Sequence, residues 1–132
     1  MSEEIRSATD TLTQILLDMN SDGGFLTAVL TDSNGLPIVF AAQGGFDPER
    51  QSATVAMIKK TISLNGRRMG IAQAEEISIV DNDGHLLICR TFSAGSHELI
   101  LAVLINNRQQ PYRRITTRAI SEISRVWTQH WK

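Results

Sequence analysis

Ser96-His97-Glu98 brings together a hydroxyl, an imidazole and a carboxylate, the three groups used in nucleophilic hydrolysis. Consecutive strand residues point to opposite faces, so this run does not line up nucleophile, base and orienter. It reads as a polar turn entering a strand. His85, His97 and His130 are not spaced as metal ligands, and Cys89 has no neighbouring thiol. Cys89 alternates with Leu87 and reads as a small core residue. Asp81-Asn82-Asp83-Gly84 resembles the opening of a calcium loop but lacks the further acidic positions and the closing glutamate, so it reads as a hairpin turn. The lysines are Lys59, Lys60 and Lys132, and none follows a phosphate-cradling glycine pattern. The chain is therefore expected not to be a P-loop GTPase or ATPase, to hold no cofactor or metal, and not to be an enzyme.

Cationic groups are the remaining polar feature. Arg67-Arg68 forms one cluster, and Arg108, Arg113, Arg114 and Arg118 form another. Either is a solvated face, or a surface that engages carboxylates of a partner through paired hydrogen bonds. The overall charge argues against nucleic acid. With 13 basic and 14 acidic residues the chain is formally −1, whereas nucleic-acid-binding domains are usually clearly basic.

The 132 residues suit one domain spanning 1–132, and 42% hydrophobic with 20% charged residues is ordinary for a globular protein. Met1-Ser-Glu-Glu-Ile-Arg6 lacks a signal-peptide profile, and the longest apolar run, Leu99 to Ile105, is too short to span a bilayer. A cytoplasmic location without membrane insertion is the expectation.

Hydrophobic spacing supplies the elements that position these groups. Ile5, Ala8, Leu12, Ile15 or Leu16, and Met19 recur at three and four, predicting a helix that stops at Asn20-Ser-Asp-Gly-Gly24. Phe25 to Thr31 and Leu36 to Ala42 flank Asp32-Ser33-Asn34-Gly35 and form a hairpin. Pro37 cannot donate to a ladder, which places the second strand at a sheet edge. Asp47-Pro48-Glu49 starts a long helix running to about Met69. Glu76 to Asp81 and His85 to Phe92 make a second hairpin, followed by the strand Leu99 to Ile105 and a helix opened by Pro111. Tyr112, Ile115, Ala119, Ile123 and Val126 form its stripe. Two strands are apolar on both faces, and placing both inside gives the order second, first, fifth, fourth, third.

The long helix carries two stripes. Val55, Ile58, Ile62 and Met69 would cover a sheet. Ser52, Ala56, Lys59, Ser63 and Gly66 are small except for the lysine and would admit a close partner, which would offset the roughly 1 kcal/mol that Gly66 costs the helix. Ile77 and Ile79 lie on a proline-free strand at the other edge, which invites edge pairing. These seven residues are the expected interface of a twofold homodimer.

Ala28-Val-Leu-Thr-Asp-Ser-Asn-Gly-Leu-Pro-Ile38, the Asp-Gly hairpin at Asp81 to Leu87 and the strand Leu99 to Ile105 resemble the Roadblock family, named with the dynein light chains. The resemblance runs from about Glu4 to Trp127. It implies an α+β fold of order αββαβββα, with a five-stranded antiparallel sheet, the long helix on one face and both terminal helices on the other. It further implies a dimeric regulator or scaffold that binds a Ras-like small GTPase, similar to prokaryotic members acting in cell polarity or gliding motility. Lys60, Arg67 and Arg68 are the candidates to face such a GTPase. The alternative is a small-molecule sensor of profilin-like or PAS-like type, which needs an interior pocket with converging polar groups.

Overall fold

The computed structural model describes residues 3–42, 44–70, 72 and 74–131, with the side chains of residue 48 and of 62–67 outside that description. Its elements are α1 (Glu3–Gly23), β1 (Thr27–Asp32), β2 (Pro37–Ala42), α2 (Pro48–Arg68), β3 (Glu76–Val80), β4 (Leu86–Ala94), β5 (His97–Ile105) and α3 (Arg113–His130). All strand pairs are antiparallel, in the order β2-β1-β5-β4-β3. The apolar strands β1 and β5 are adjacent in the interior, and the Pro37 strand lies at the edge, as their side chains require.

Both hairpins close by the same device. The Oδ1 of Asp32 accepts the amides of Asn34 and Leu36, and Gly35 N–H donates to Asp32 C=O. Asp81 repeats this with the amides of Asp83 and His85 and the amide of Gly84. At the start of α2, Asp47 Oδ1 accepts from Glu49 N at 3.0 Å and from Arg50 N at 3.4 Å, which satisfies two otherwise free amides.

The sheet is packed on both faces. α1 and α3 cover one with Leu12, Leu16, Leu30, Leu101, Ile105 and Ile123, all essentially inaccessible. α2 covers the other more thinly, through Val55 over Ile77, Cys89, Ile100 and Ala102. Several boundaries differ from expectation, with β1 starting at Thr27 rather than Phe25 and β5 at His97 rather than Leu99. α1 continues through Asn20 to Gly23, because Gly23 is buried beneath the Phe25 ring and the segment packs rather than turns away. β4 continues to Ala94, which pairs with His97, so the polar run forms a tight hairpin rather than a looser turn.

Polar groups lock β3 to the start of α3. Tyr112 Oη donates to Glu76 Oε2 at 2.9 Å, and Arg113 and Arg90 approach the same carboxylate at 3.2 and 3.6 Å. Arg90 also donates to the Thr116 and Thr117 hydroxyls. The edge strand is thus held from one face, and among the described residues β4 is its only strand neighbour.

Candidate interaction surface

α2 runs over β1 and β2, and its inward side takes in part of both stripes: Val55 and Ile58 pack on the sheet, with Ser52 and Lys59 turned inward beside them. Ser52 is fully buried and Lys59 is 9% exposed. Lys59 Nζ lies 3.7 Å from Glu98 Oε2 on β5. Ala56 sits against the first hairpin turn, where a Cβ added to Gly35 would come within 2.3 Å of the Ala56 Cβ. Ser52 and Lys59 were expected to face a partner, and that expectation is corrected: both are buried in the chain's own packing, whereas Ala56 is half-buried beside the turn. The turn needs small neighbours at its closest approach, and the buried ammonium is drawn to a carboxylate. Ile77 is likewise buried beneath α2, at 7% exposure, rather than turned outward. The side chains of Ser63, Gly66 and Arg67 lie outside the described residues.

Ile79, Lys60 and Arg68 are exposed. The register places Thr27, Leu104, Leu87 and Ile79 in one row across β1, β5, β4 and β3, all on the α2 face. Thr27 is covered by α2, but Leu104 and Leu87 are half-buried and Ile79 is 40% exposed, so the row from Leu104 outward is an apolar strip that α2 leaves open. It opens beside Arg50, Gln51 and Thr54 as a cleft of about 230 Å³ and runs out to the outer β3 edge. Met57 at 69% exposure lies on the outer side of α2, at a crevice of about 540 Å³ shared with Lys60, Ser33 and Asn34. Sequence reasoning missed Leu87, Leu104 and Met57. The cross-strand register carries the signal for the first two, and it was legible once both hairpin turns were placed.

The residues that suggested catalysis separate. The His97 ring stands edge-on to Trp127, 5.4 Å between centroids, on the α3 face, whereas Glu98 reaches Lys59 on the α2 face. Asp81, Asp83 and His85 lie close enough to hold an ion. The carboxylate of Asp81 is already engaged, however, by two amides on Oδ1 and by the His85 ring at 2.9 Å on Oδ2. Partial desolvation pushes the Asp81 carboxyl up, but the hydrogen bonds from His85 and Asp83 together outweigh it and hold it below the ordinary 3.8. Its contribution to the hairpin is therefore present above that value and lost as the pH falls through the lower folded one. A carboxyl NMR titration should give Asp81 a midpoint below 3.8, and a midpoint at or above it would refute the turn as drawn.

Cys89 is 1% exposed beneath α2, and burial pushes its thiol up to about 12. Ellman's reagent at mildly alkaline pH should label it only as fast as the chain unfolds. Rapid labelling without denaturant would show an open α2 face.

No family model and no curated protein matches the chain. Solved structures do. The gliding protein MglB of Thermus thermophilus superposes with a TM-score of 0.73 at 16% identity, covering 90% of each chain. Myxococcus xanthus MglB gives 0.71 at 18%, over 98% of this chain and 90% of that one. A Roadblock/LC7 domain from Streptomyces avermitilis gives 0.69 at 17%, over 89% and 94%. Strand order, element order and these superpositions agree: the chain has the Roadblock/LC7 fold.

Proposed function

We propose that this protein is a non-enzymatic, self-associating module that binds a Ras-like small GTPase and modulates its nucleotide cycle or location. The observation that carries the reading is the apolar strip Leu104, Leu87, Ile79 ending at the outer β3 edge. A second copy related by a twofold axis at that edge would continue the sheet and bring its own α2 over the uncovered strip. Such a dimer aligns two α2 helices on one side, with Lys60, Arg68 and Met57 on their exposed surfaces. Those groups suit the mixed acidic and apolar switch surface of a GTPase. The fold shared with two MglB proteins, one of them described as a gliding protein, supports the regulatory reading. A sensor would need polar groups converging on an enclosed cavity. The cleft beside α2 is small, open and mainly apolar, and it belongs to the strip itself.

Modulating a GTPase requires different affinities for its two nucleotide states. Titration of the chain against a purified Ras-like GTPase from the same cell, loaded with GDP or a non-hydrolysable GTP analogue, tests this. The expected result is saturable binding that differs between the two states by roughly fivefold or more. Equal affinity would leave a scaffold only, and no binding to any such GTPase of the cell would overturn the partner assignment.

A further inference from the structure

The outer layer carries a charge pattern that the β3 and α2 surface does not use. α1 holds Glu3, Glu4, Asp10, Asp18 and Asp22 against one cation, Arg6. α3 holds Arg113, Arg114, Arg118 and Arg125 against one carboxylate, Glu122. The helices are antiparallel neighbours: Glu4 meets His130 at 3.2 Å at one end, and Asp18 and Asp22 share a groove with Arg114 and Arg118 at the other. That groove, of about 370 Å³, is floored by Ile15, Met19, Ile115 and Ala119. Arg113 is engaged by Glu76, whereas Arg114, Arg118 and Arg125 are exposed and make no ion pair within 4.0 Å among the described residues. At 100° per residue these three fall within about 40° of one another on α3.

We infer that this face binds a second copy of the same chain, acidic α1 over basic α3, about a twofold axis parallel to the helices and midway between them. The pattern selects that axis. A rotation about it exchanges left and right while keeping height, so the partner's α1 lands on α3 at the level where Asp18 and Asp22 oppose Arg114 and Arg118. A twofold axis across the helices would instead stack α1 on α1 and α3 on α3, with like charges opposed. The selected arrangement is also antiparallel for each facing pair, which aligns the helix dipoles favourably. A polyanion such as nucleic acid would meet Asp18, Asp22 and Glu122 on the same surface, which disfavours it. The face lies across the sheet from α2, so it can be occupied together with the β3 edge and does not depend on the function proposed above.

Sedimentation equilibrium of the full chain at about 25 mM and about 500 mM NaCl tests this, because exposed charges are screened within a few ångströms at the higher salt. The mass should double at low salt relative to high salt, with association weaker by roughly tenfold or more at high salt. Arg114→Glu with Arg118→Glu should hold the chain at its high-salt mass in both buffers. Adding Asp18→Arg and Asp22→Arg to that variant should restore the doubling. Circular dichroism at high salt confirms that each variant is folded, and Arg118→Gln with Arg125→Gln replaces the reversal should it unfold the chain. A mass independent of salt, or a doubling that survives the reversal, overturns the inference. The salt-resistant mass reports the β3 edge separately, so failure of one interface is distinguishable from failure of the other.

Discussion

Replacing Gly35 with Ala should destabilise the protein by about 2–4 kcal/mol, and replacing Gly84 with Ala by only about 1 kcal/mol. The two glycines occupy equivalent places in equivalent turns, with φ of +86° and +87°. Both substitutions therefore incur the same left-handed strain. They differ in what the new methyl meets. At Gly84 nothing lies within 4 Å, whereas at Gly35 the methyl would come within 2.3 Å of the Ala56 Cβ and 3.0 Å of the Ser52 carbonyl oxygen. Backbone cannot yield as a flexible side chain does, so the hairpin must lift from α2. Urea unfolding of the two variants, with Gly35→Ala/Ala56→Gly as a third, measures the difference. The third variant should recover part of the gap, less what glycine costs inside α2. Equal losses at Gly35 and Gly84 would show that the hairpin does not press on the helix.

Ile79→Lys should weaken self-association by about two decades or more while leaving the monomer's thermal stability nearly unchanged. Ile79 is already 40% exposed in the single chain, so the monomer loses little when it becomes polar. At a twofold edge each interface contains the change twice, and lysine both removes apolar contact and sets like charges near one another. An anchor residue at an interface centre is typically worth about 2 kcal/mol or more, and tenfold in affinity corresponds to about 1.4 kcal/mol. Sedimentation velocity over a concentration series reads the result. A variant that associates like the parent would move the interface away from β3.

The strands and their order were legible because the determinants are local or compositional. Each hairpin is closed by an Asp whose side-chain oxygen accepts two amides and whose carbonyl accepts the Gly amide, and only two strands are apolar on both faces. The orientation of α2 was legible only in part: Val55 and Ile58 face the sheet as the apolar stripe implies, but Ser52 and Lys59 turn inward with them. Its inward arc is set by Gly35, distant in sequence, and by Glu98, beyond two further strands, and both favour the small and cationic side of the helix. A helical wheel ranks sides by hydrophobicity and has no term for a turn that requires small neighbours. The burial of Lys59 follows the same logic, since an ammonium is tolerated there only because a carboxylate from β5 reaches it. The β3 edge was legible as an edge, but which of its isoleucines faces out needed the register. Ile77 falls in the row under Val55, and Ile79 in the next row, beyond the cover of the helix.

The strand order also has a consequence for synthesis on the ribosome. The first half of the chain supplies β2 and β1, the second half supplies β5, β4 and β3, and the sheet joins along the single ladder between Thr27–Asp32 and Leu99–Leu104. Both hairpins can form as soon as they emerge, since each is closed by its own aspartate. β1, buried on both faces in the finished protein, has one side without its partner until β5 has been made. At translation rates of about 5–20 residues per second that interval lasts on the order of several seconds. During it the nascent chain exposes an apolar strand edge that the finished sheet covers, which gives a chaperone, or a neighbouring nascent copy, access to it.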